Sequence, residues 1–109
     1  MTATFEVLAD ERRRRILDLL AVKERQVGEL VTLLSMSQPA VSKHLKVLRE
    51  AGVVQSRTDA QRRIYRVNPE PLRAVDEWLA PYRRQWAGHR NALERHLEIM
   101  EGSDGETWT

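Results

Sequence analysis

The chain contains no cysteine among its 109 residues. This absence excludes disulfides, thiolate metal sites and redox sensing by a thiol. No apolar run approaches the ~18 residues of a membrane-spanning helix, and the first residues lack the basic-then-apolar pattern of a secretion signal. The sequence also lacks a glycine-rich phosphate loop, a nucleophile spaced to pair with a base, and an evident pair of catalytic acids. We therefore expect a cytoplasmic protein without membrane association, cofactor or enzymatic activity.

Charged residues make up 31% of the chain and give a formal net charge of +2. They are unevenly distributed: residues 1–69 hold 13 basic and 8 acidic side chains, whereas residues 70–109 hold 5 and 8. A basic first part is compatible with a nucleic-acid partner, but a surplus this small does not establish one.

Residues 35–52 form the most informative segment, because their pattern predicts a capped helix over about residues 38–50. Apolar residues recur at helical spacing on one face. The boundaries carry a serine N-cap, a first-turn proline and a final glycine. In chain order these residues are Ser37, Pro39, Val41, Leu45, Leu48 and Gly52. The opposite face carries only hydrogen-bond donors before Glu50, namely Gln38, Ser42, Lys43, Lys46 and Arg49. An apolar back and a donor-rich front are what the DNA major groove accepts in a reading helix.

A helix predicted over residues 27–34 is followed by only three residues before the reading helix begins. Two helices joined by so short a turn indicate a helix-turn-helix. Upstream, the pattern predicts a short helix over residues 4–9 and a helix capped by Asp10 that runs to about Val22. The arginines at residues 12–15 admit two interpretations, a solvated face paired with nearby acids or a phosphate clamp. The solvated face is favoured for most of them, because four successive helical residues cannot share one face.

After Gly52 the apolar residues no longer follow helical spacing, and residues 53–58 and 63–68 are rich in β-forming residues. The polar residues 59–62 form the tip of the predicted hairpin. Four arginines decorate this hairpin, namely Arg57, Arg62, Arg63 and Arg66. Standing alone, it would be an ordinary solvated hairpin. Beside a helix-turn-helix, we interpret residues 53–68 as a wing that contacts phosphates or the minor groove.

Residues 71–100 carry an apolar seam close to a heptad repeat, which predicts one long helix. Such a helix would be ~45 Å long, more than a winged core can cover. We therefore expect a second copy of the chain to bury the remainder. The predicted dimer interface consists of Phe5, Leu8, Leu79, Tyr82, Trp86, His89, Leu93 and Leu97. Pro81 should kink the helix or divide it near Leu79.

The predicted fold is therefore mainly α with a small β-hairpin wing. Residues 1–100 would form one winged helix-turn-helix domain that is dimeric through its terminal helices. Residues 101–109 are polar and contain glycine, so we expect a flexible tail there.

This order of elements resembles the ArsR/SmtB family of bacterial winged-helix repressors. The resemblance covers roughly residues 4–100 and rests on FEVLADERRRRILDLL, VGELVTLLSMSQPAVSKHLKVLREAGVV and RRIYRV. The long helix, with YRRQW, is similar to the autorepressor-type branch that lacks thiolate metal sites. The family implies a nucleoid-associated homodimer that binds a pseudo-palindrome in double-stranded DNA near promoters, its own among the candidates. It also implies repression that an inducer, here an unknown small molecule, relieves.

The resemblance also implies a set of DNA-binding residues. These are Ser37, Gln38, Ser42, Lys43 and His44 on the reading helix and Arg57, Arg62 and Arg63 on the wing, with Lys46 added from the donor face. Gln38 can bond an adenine edge, and Lys43 a guanine edge or a phosphate. His44 is either a phosphate contact or a packed residue at the helix–turn boundary. The family commonly has glycine at the wing tip where this chain has Gln61, so we expect a wider hairpin turn.

The metal sites of the family are incomplete in this sequence. The arsenic-type site needs paired cysteines, which are absent. Of four zinc-type positions on the last helix, only Asp76 and His89 can ligate, since the others are Trp78 and Ala92. Two ligands cannot close a tetrahedral site, so we expect no metal.

Other functions compete with sequence-specific repression. One alternative is an inducer- or protein-sensing regulator in which Trp78, Tyr82 and Trp86 line a small-molecule pocket, although core filling is the plainer interpretation of such aromatics. Another is a metal-responsive repressor with a degenerate His/Asp site. Nonspecific chromosome packing is disfavoured, because binding through phosphates alone needs a more basic surface.

Overall fold

Helices form most of the structure, in the order that the sequence pattern predicts. The computed structural model describes the backbone of residues 1–100 and the side chains of residues 1–89. The elements are α1 (Thr2–Leu8), α2 (Glu11–Val22), β1 (Arg25–Gln26), α3 (Val27–Leu34), α4 (Gln38–Glu50), β2 (Val54–Asp59), β3 (Arg62–Val67) and α5 (Pro69–Met100). The chain divides into two units after Val75. The predicted winged helix-turn-helix is confirmed, and the predicted tail lies outside the described residues.

Arginines of α2 hold the end of α1. Asp10 caps α2, because its carboxylate accepts the backbone N–H groups of Arg12 at 2.8 Å and of Arg13 at 3.3 Å. The side chains of Arg13 and Arg14 donate to last-turn carbonyls of α1 at 2.8 and 2.6 Å. Such carbonyls have no partner within their own helix. Part of the arginine run is therefore structural, a role that neither sequence interpretation contained.

The turn between α3 and α4 contains a left-handed residue and a cap. Ser35 ends α3 with a φ of 53°. Ser37 then caps α4, its Oγ accepting the backbone N–H of Ala40 at 3.3 Å. The cap and the first-turn Pro39 begin α4 where the sequence predicts.

Helices α1, α2, α3 and α4 and the sheet together form one apolar core. Its buried members are Val7, Ile16, Leu17, Leu20, Leu30, Leu34, Val41, Leu45, Leu48, Val53, Val54 and Tyr65. The apolar face predicted for α4, Val41, Leu45 and Leu48, is 0% exposed. Full burial of each such side chain contributes about 1.5–3 kcal/mol. This burial sets the rotation of α4 about its own axis.

The wing belongs to a three-stranded antiparallel sheet in the order β1-β3-β2. The two-residue strand β1 was not predicted, because an element this short carries no periodic pattern. In the hairpin Asp59 pairs with Arg62, so the turn consists of Ala60 and Gln61 alone. The expected wider turn is therefore wrong. Ala60 takes the positive φ of 56° that so tight a turn requires.

Helix α5 continues through Pro81 without interruption from Pro69 to Met100. Of the two predicted effects of Pro81, the division of the helix is therefore wrong, and the kink stays a prediction. Near this proline, the guanidinium of Arg83 donates to the backbone carbonyl of Asp76 at 2.9 Å and also pairs with its carboxylate. None of the helices in the described part of the chain combines the length and hydropathy that crossing a bilayer requires.

Replacing Ala60 with glycine should stabilise the protein by roughly 0.5–1 kcal/mol. A non-glycine residue at positive φ destabilises the folded state by about 1–2 kcal/mol, and glycine removes this strain. Glycine also gives the unfolded chain more conformational freedom, which reduces the gain by about 0.4–1 kcal/mol. Urea unfolding of A60G measures the difference. The matched control is Q61G, because Gln61 does not have a positive φ and glycine there should give no gain. Equal effects of the two substitutions would contradict the assignment of strain to Ala60.

Candidate nucleic-acid interface

The exposed face of α4 carries the predicted reading residues. Gln38, Ser42 and Lys46 follow one another at intervals of four residues, so they lie along one line of the helix, and all three are exposed. Lys43, also exposed, widens this line by one position. Neither lysine forms an ion pair with another residue whose side chain is described. The face thus presents an amide, a hydroxyl and two ammonium groups to solvent.

Ser37 stands at the start of this face with its hydroxyl partly engaged. Its Oγ accepts the N–H of Ala40, while the hydroxyl proton can still be donated. The residue is exposed. It can therefore cap the helix and donate to a phosphate oxygen at once, which is the positioning role predicted for it.

His44 is not part of the exposed face. It is 8% exposed, and its Nδ1 has no hydrogen-bond partner among the described residues. The structure supports the packing alternative, and the proposed phosphate contact of His44 is corrected accordingly. His44 lies three residues after Val41, so the two side chains share the apolar face of α4. It lies only two residues after Ser42, which places the two on different sides of the helix.

Burial lowers the pKa of His44 because it penalises the charged imidazolium. Across the helix interface, the carboxylate of Asp10 acts in the opposite direction. The cationic side chains of Arg12, Arg13 and Lys43 lower the pKa further. The ring is therefore held neutral beside a cluster of cations.

The predicted wing arginines are divided between the two faces of the hairpin. The register places Arg57 opposite Ile64, so Arg57 shares its face with Arg62, whereas Arg63 lies on the other face. Arg57 pairs with Glu24 at 3.0 Å, and Arg62 pairs with Asp59 at 3.3 Å. All three arginines are exposed. Contact with DNA phosphates would therefore replace existing ion pairs at two of the three positions.

Two further arginines, one at the end of the reading helix and one within the wing, were not among the predicted DNA-binding residues. Arg49 donates from its Nη1 to Oγ of Ser56 at 3.4 Å. Arg66 donates from its Nε to Oε1 of Gln55 at 3.0 Å. The position of Arg49 on the donor face of α4 was visible in the sequence. Its contact with β2 was not, because that contact depends on the tertiary packing of the strand against the helix.

The residues of the predicted dimer interface are exposed to different degrees. Phe5 is 42% exposed, Tyr82 43% and Trp86 58%, and His89 is also exposed. Leu8 and Leu79 are half-buried, and Leu8 packs against the core. The side chains of Leu93 and Leu97 lie outside the described residues.

Two features of α5 bear on the alternative sites. Trp78 and Tyr82 contact each other, with ring centroids 5.2 Å apart. Asp76, one of the two family-type metal positions, pairs with Arg83. Across residues 1–89, no three His, Cys, Asp or Glu side chains are grouped so that they could hold a metal ion.

Comparison with known proteins agrees with this geometry. The pattern of the family described as "Bacterial regulatory protein, arsR family" matches residues 10–56. The HTH-type transcriptional regulator Rv2034 of Mycobacterium tuberculosis is 45% identical over 103 residues, which cover 94% of this chain and 91% of that protein. The chain belongs to the ArsR family.

Two other proteins extend the comparison. The transcriptional repressor SdpR of Bacillus subtilis is 30% identical over 79 residues, covering 72% of this chain and 88% of the repressor. The solved structure of an ArsR-like transcriptional regulator from Rhodococcus sp. RHA1 superposes with a TM-score of 0.70 at 28% identity, covering 91% of each chain. This ArsR-family member is a DNA-binding transcriptional regulator rather than an enzyme.

The free energy of unfolding should fall between about pH 7 and pH 5 because of His44. Its folded-state pKa lies below that of the unfolded chain, about 6.5, so the unfolded state binds more protons as the pH drops. Stability is therefore full above that pH and declines as the pH falls toward the folded pKa. Urea unfolding across this range, together with an NMR titration of the His44 ring, measures the effect.

The variant H44L should abolish this decline, because leucine carries no titrating group.

Asp10 affects the free energy of unfolding at a lower pH than His44 does. Desolvation raises its pKa, but hydrogen bonds from Arg12 and Arg13 outweigh that effect and leave the pKa below its usual value. Its contribution is thus present above about pH 3.9 and is lost only at lower pH. A decline between about pH 7 and pH 5 that persists in H44L would assign the effect to another group.

Proposed function

We propose that this ArsR-family regulator is a homodimeric, sequence-specific repressor that binds an inverted repeat near promoters, its own promoter being a candidate. The observation that carries the proposal is the division of α4 into two faces. Val41, Leu45 and Leu48 are fully buried, while Gln38 and Lys43 are exposed. A helix anchored in this way can enter the major groove without losing its packing.

Base and phosphate contacts would be shared among these side chains. The amide of Gln38 can bond bidentately to the N6 and N7 edge of adenine, and Lys43 can donate to the O6 and N7 edge of guanine or to a phosphate. Ser37, Ser42 and Lys46 would hold the helix in register through backbone phosphates. Gln38 thus carries the greater share of sequence discrimination.

Dimerisation would place two reading helices about one DNA turn, ~34 Å, apart. Support comes from α5, where Tyr82 and Trp86 are four residues apart and remain 43% and 58% exposed in the single chain. Exposed aromatics at helical spacing are typical of a surface that a partner helix covers.

The double variant Q38A/K43A should lose at least about 30-fold in operator affinity while remaining folded. The variant removes a base contact of Gln38, worth roughly 1–3 kcal/mol, and a charge-assisted contact of Lys43 to a guanine edge or a phosphate, worth about 1.5–3 kcal/mol. Binding is measured by fluorescence anisotropy on a site selected from genomic DNA, in ~150 mM salt to suppress contacts through phosphates alone. The control is K23A, which removes an exposed lysine beyond the end of α2. Unchanged affinity of Q38A/K43A would remove α4 as the reader.

The single variants separate the two roles. Q38A should relax the preference at one base pair, whereas K43A, if it contacts a phosphate, should weaken binding to all sequences and reduce the salt slope by about one. Identical behaviour of the two variants would contradict this division between base and phosphate contacts.

The variant W86E should convert the protein to monomers at micromolar concentration and lower operator affinity by at least about tenfold. The substitution places a charge on the predicted dimer seam and should separate the subunits. Monomers would bind each half-site independently and lose the affinity that a dimer gains by binding both half-sites at once. Sedimentation velocity gives the oligomeric state, and circular dichroism checks the fold. The matched control R84E adds the same side chain two helical positions away, on the other side of α5. A W86E dimer, or a monomeric wild type, would contradict the interface.

A further inference from the structure

A groove lies between the last turn of α4 and the wing sheet, on the surface of the first unit. Its volume is about 570 Å³, which is within the range of small-molecule sites. The side chains that matter for its chemistry are Glu24, Arg49, Gln55, Arg57, Ile64 and Arg66. None of the contacts assigned above to base reading uses this groove.

The charges of the groove favour an anion. Three arginines, Arg49, Arg57 and Arg66, line the groove together with one acidic residue, Glu24. The carboxylate is bound to Arg57 at 3.0 Å, and the two side chains are 45% and 58% exposed. An ion pair this exposed is weak, because water screens it. A ligand with a stronger negative charge can therefore take the place of Glu24 on Arg57.

The unused hydrogen-bonding groups of the groove are mainly donors. Arg49 and Arg66 each use one N–H, to Ser56 at 3.4 Å and to Gln55 at 3.0 Å, out of the five that a guanidinium carries. The amide oxygen of Gln55 is occupied by Arg66, which leaves its NH₂ group to donate. Guanidinium groups bind phosphate and carboxylate bidentately. The complementary ligand is therefore rich in acceptors and negatively charged.

We propose that this groove is an effector site for a small organic anion that bears a phosphate or paired carboxylates, and that its occupation lowers operator affinity. The regulatory half of the inference rests on the proposed function. Arg49 belongs to the reading helix, and Arg57 and Arg66 belong to the wing. A bound anion neutralises cations on both DNA-binding elements at once, so the attraction between the protein and the DNA phosphates falls.

A free anion fits the groove better than a phosphate of the DNA backbone does. The half-buried Ile64 adds an apolar wall, which suits the carbon skeleton of an organic ligand. The concave form of the groove likewise encloses a small molecule more fully than a duplex surface.

Inorganic pyrophosphate is the probe for the binding half, titrated calorimetrically in chloride buffer at constant ionic strength. Wild type should bind it saturably, and R49Q/R66Q should bind at least about tenfold more weakly, because two charge-assisted contacts are lost. E24Q should bind it several-fold more tightly, since Arg57 is then released from its internal partner. The control R15Q removes an exposed arginine of α2 and should bind like wild type. No saturable binding, or equal binding by R49Q/R66Q, overturns the site.

Operator binding with and without pyrophosphate tests the regulatory half. Affinity of the wild type should fall at least about fivefold at constant ionic strength, and R49Q/R66Q should lose this response. Pyrophosphate that binds without changing operator affinity overturns the effector role. Failure to bind free pyrophosphate, combined with a reduced salt slope of R49Q/R66Q on duplex DNA, would show that the groove holds DNA phosphates instead. If the protein binds no specific operator, the proposed function fails, while the calorimetric titration still tests the groove by itself.

Discussion

The burial of one face of α4 is the constraint on which the rest of the structure depends. Val41, Leu45 and Leu48 are completely buried, and leaving any of them in water would cost about 1.5–3 kcal/mol. This burial permits only one rotation of the helix about its axis. The exposed positions of Gln38 and Ser42 follow from it, and so does the burial of His44. The exposed donor face, which we propose reads DNA, is therefore a consequence of hydrophobic packing on the opposite side of the same helix.

Arginine serves three different purposes in this chain, and only the tertiary context separates them. Arg13 and Arg14 bind backbone carbonyls at the end of α1. Arg57 is held by Glu24, and Arg49 reaches from the reading helix to the wing. A count of basic residues treats these groups alike. Their partners show which of them are already occupied and which retain donors for a ligand or for DNA.

Much of the architecture follows from local signals. The bounds of α4 can be read from its cap, apolar spacing and flanking turn, and those of α3 from its apolar spacing and the short turn that follows it, because each of these signals acts within a few residues of the sequence. Strand β1 could not be predicted in this way. It exists because Arg25 and Gln26 pair with Tyr65 and Ile64, about forty positions further along the chain. The tight wing turn was also missed. The pairing of Asp59 with Arg62 imposes a positive φ on Ala60, and the intrinsic preference of alanine is against that conformation.

By itself, the sequence determined the helix-turn-helix, the wing and the donor face of α4, because periodicity and capping are properties of neighbouring residues. Its motifs also carried the resemblance to the family. The tertiary structure alone decided that His44 faces the core rather than DNA, since the helix can bury only the side that meets its neighbours. It also decided that the wing arginines lie on two faces, which the strand register sets. The groove formed by Arg49, Arg57 and Arg66 belongs to the tertiary level too. Its three cations come together only when a strand packs against the end of a helix, and no local pattern in the chain records that contact.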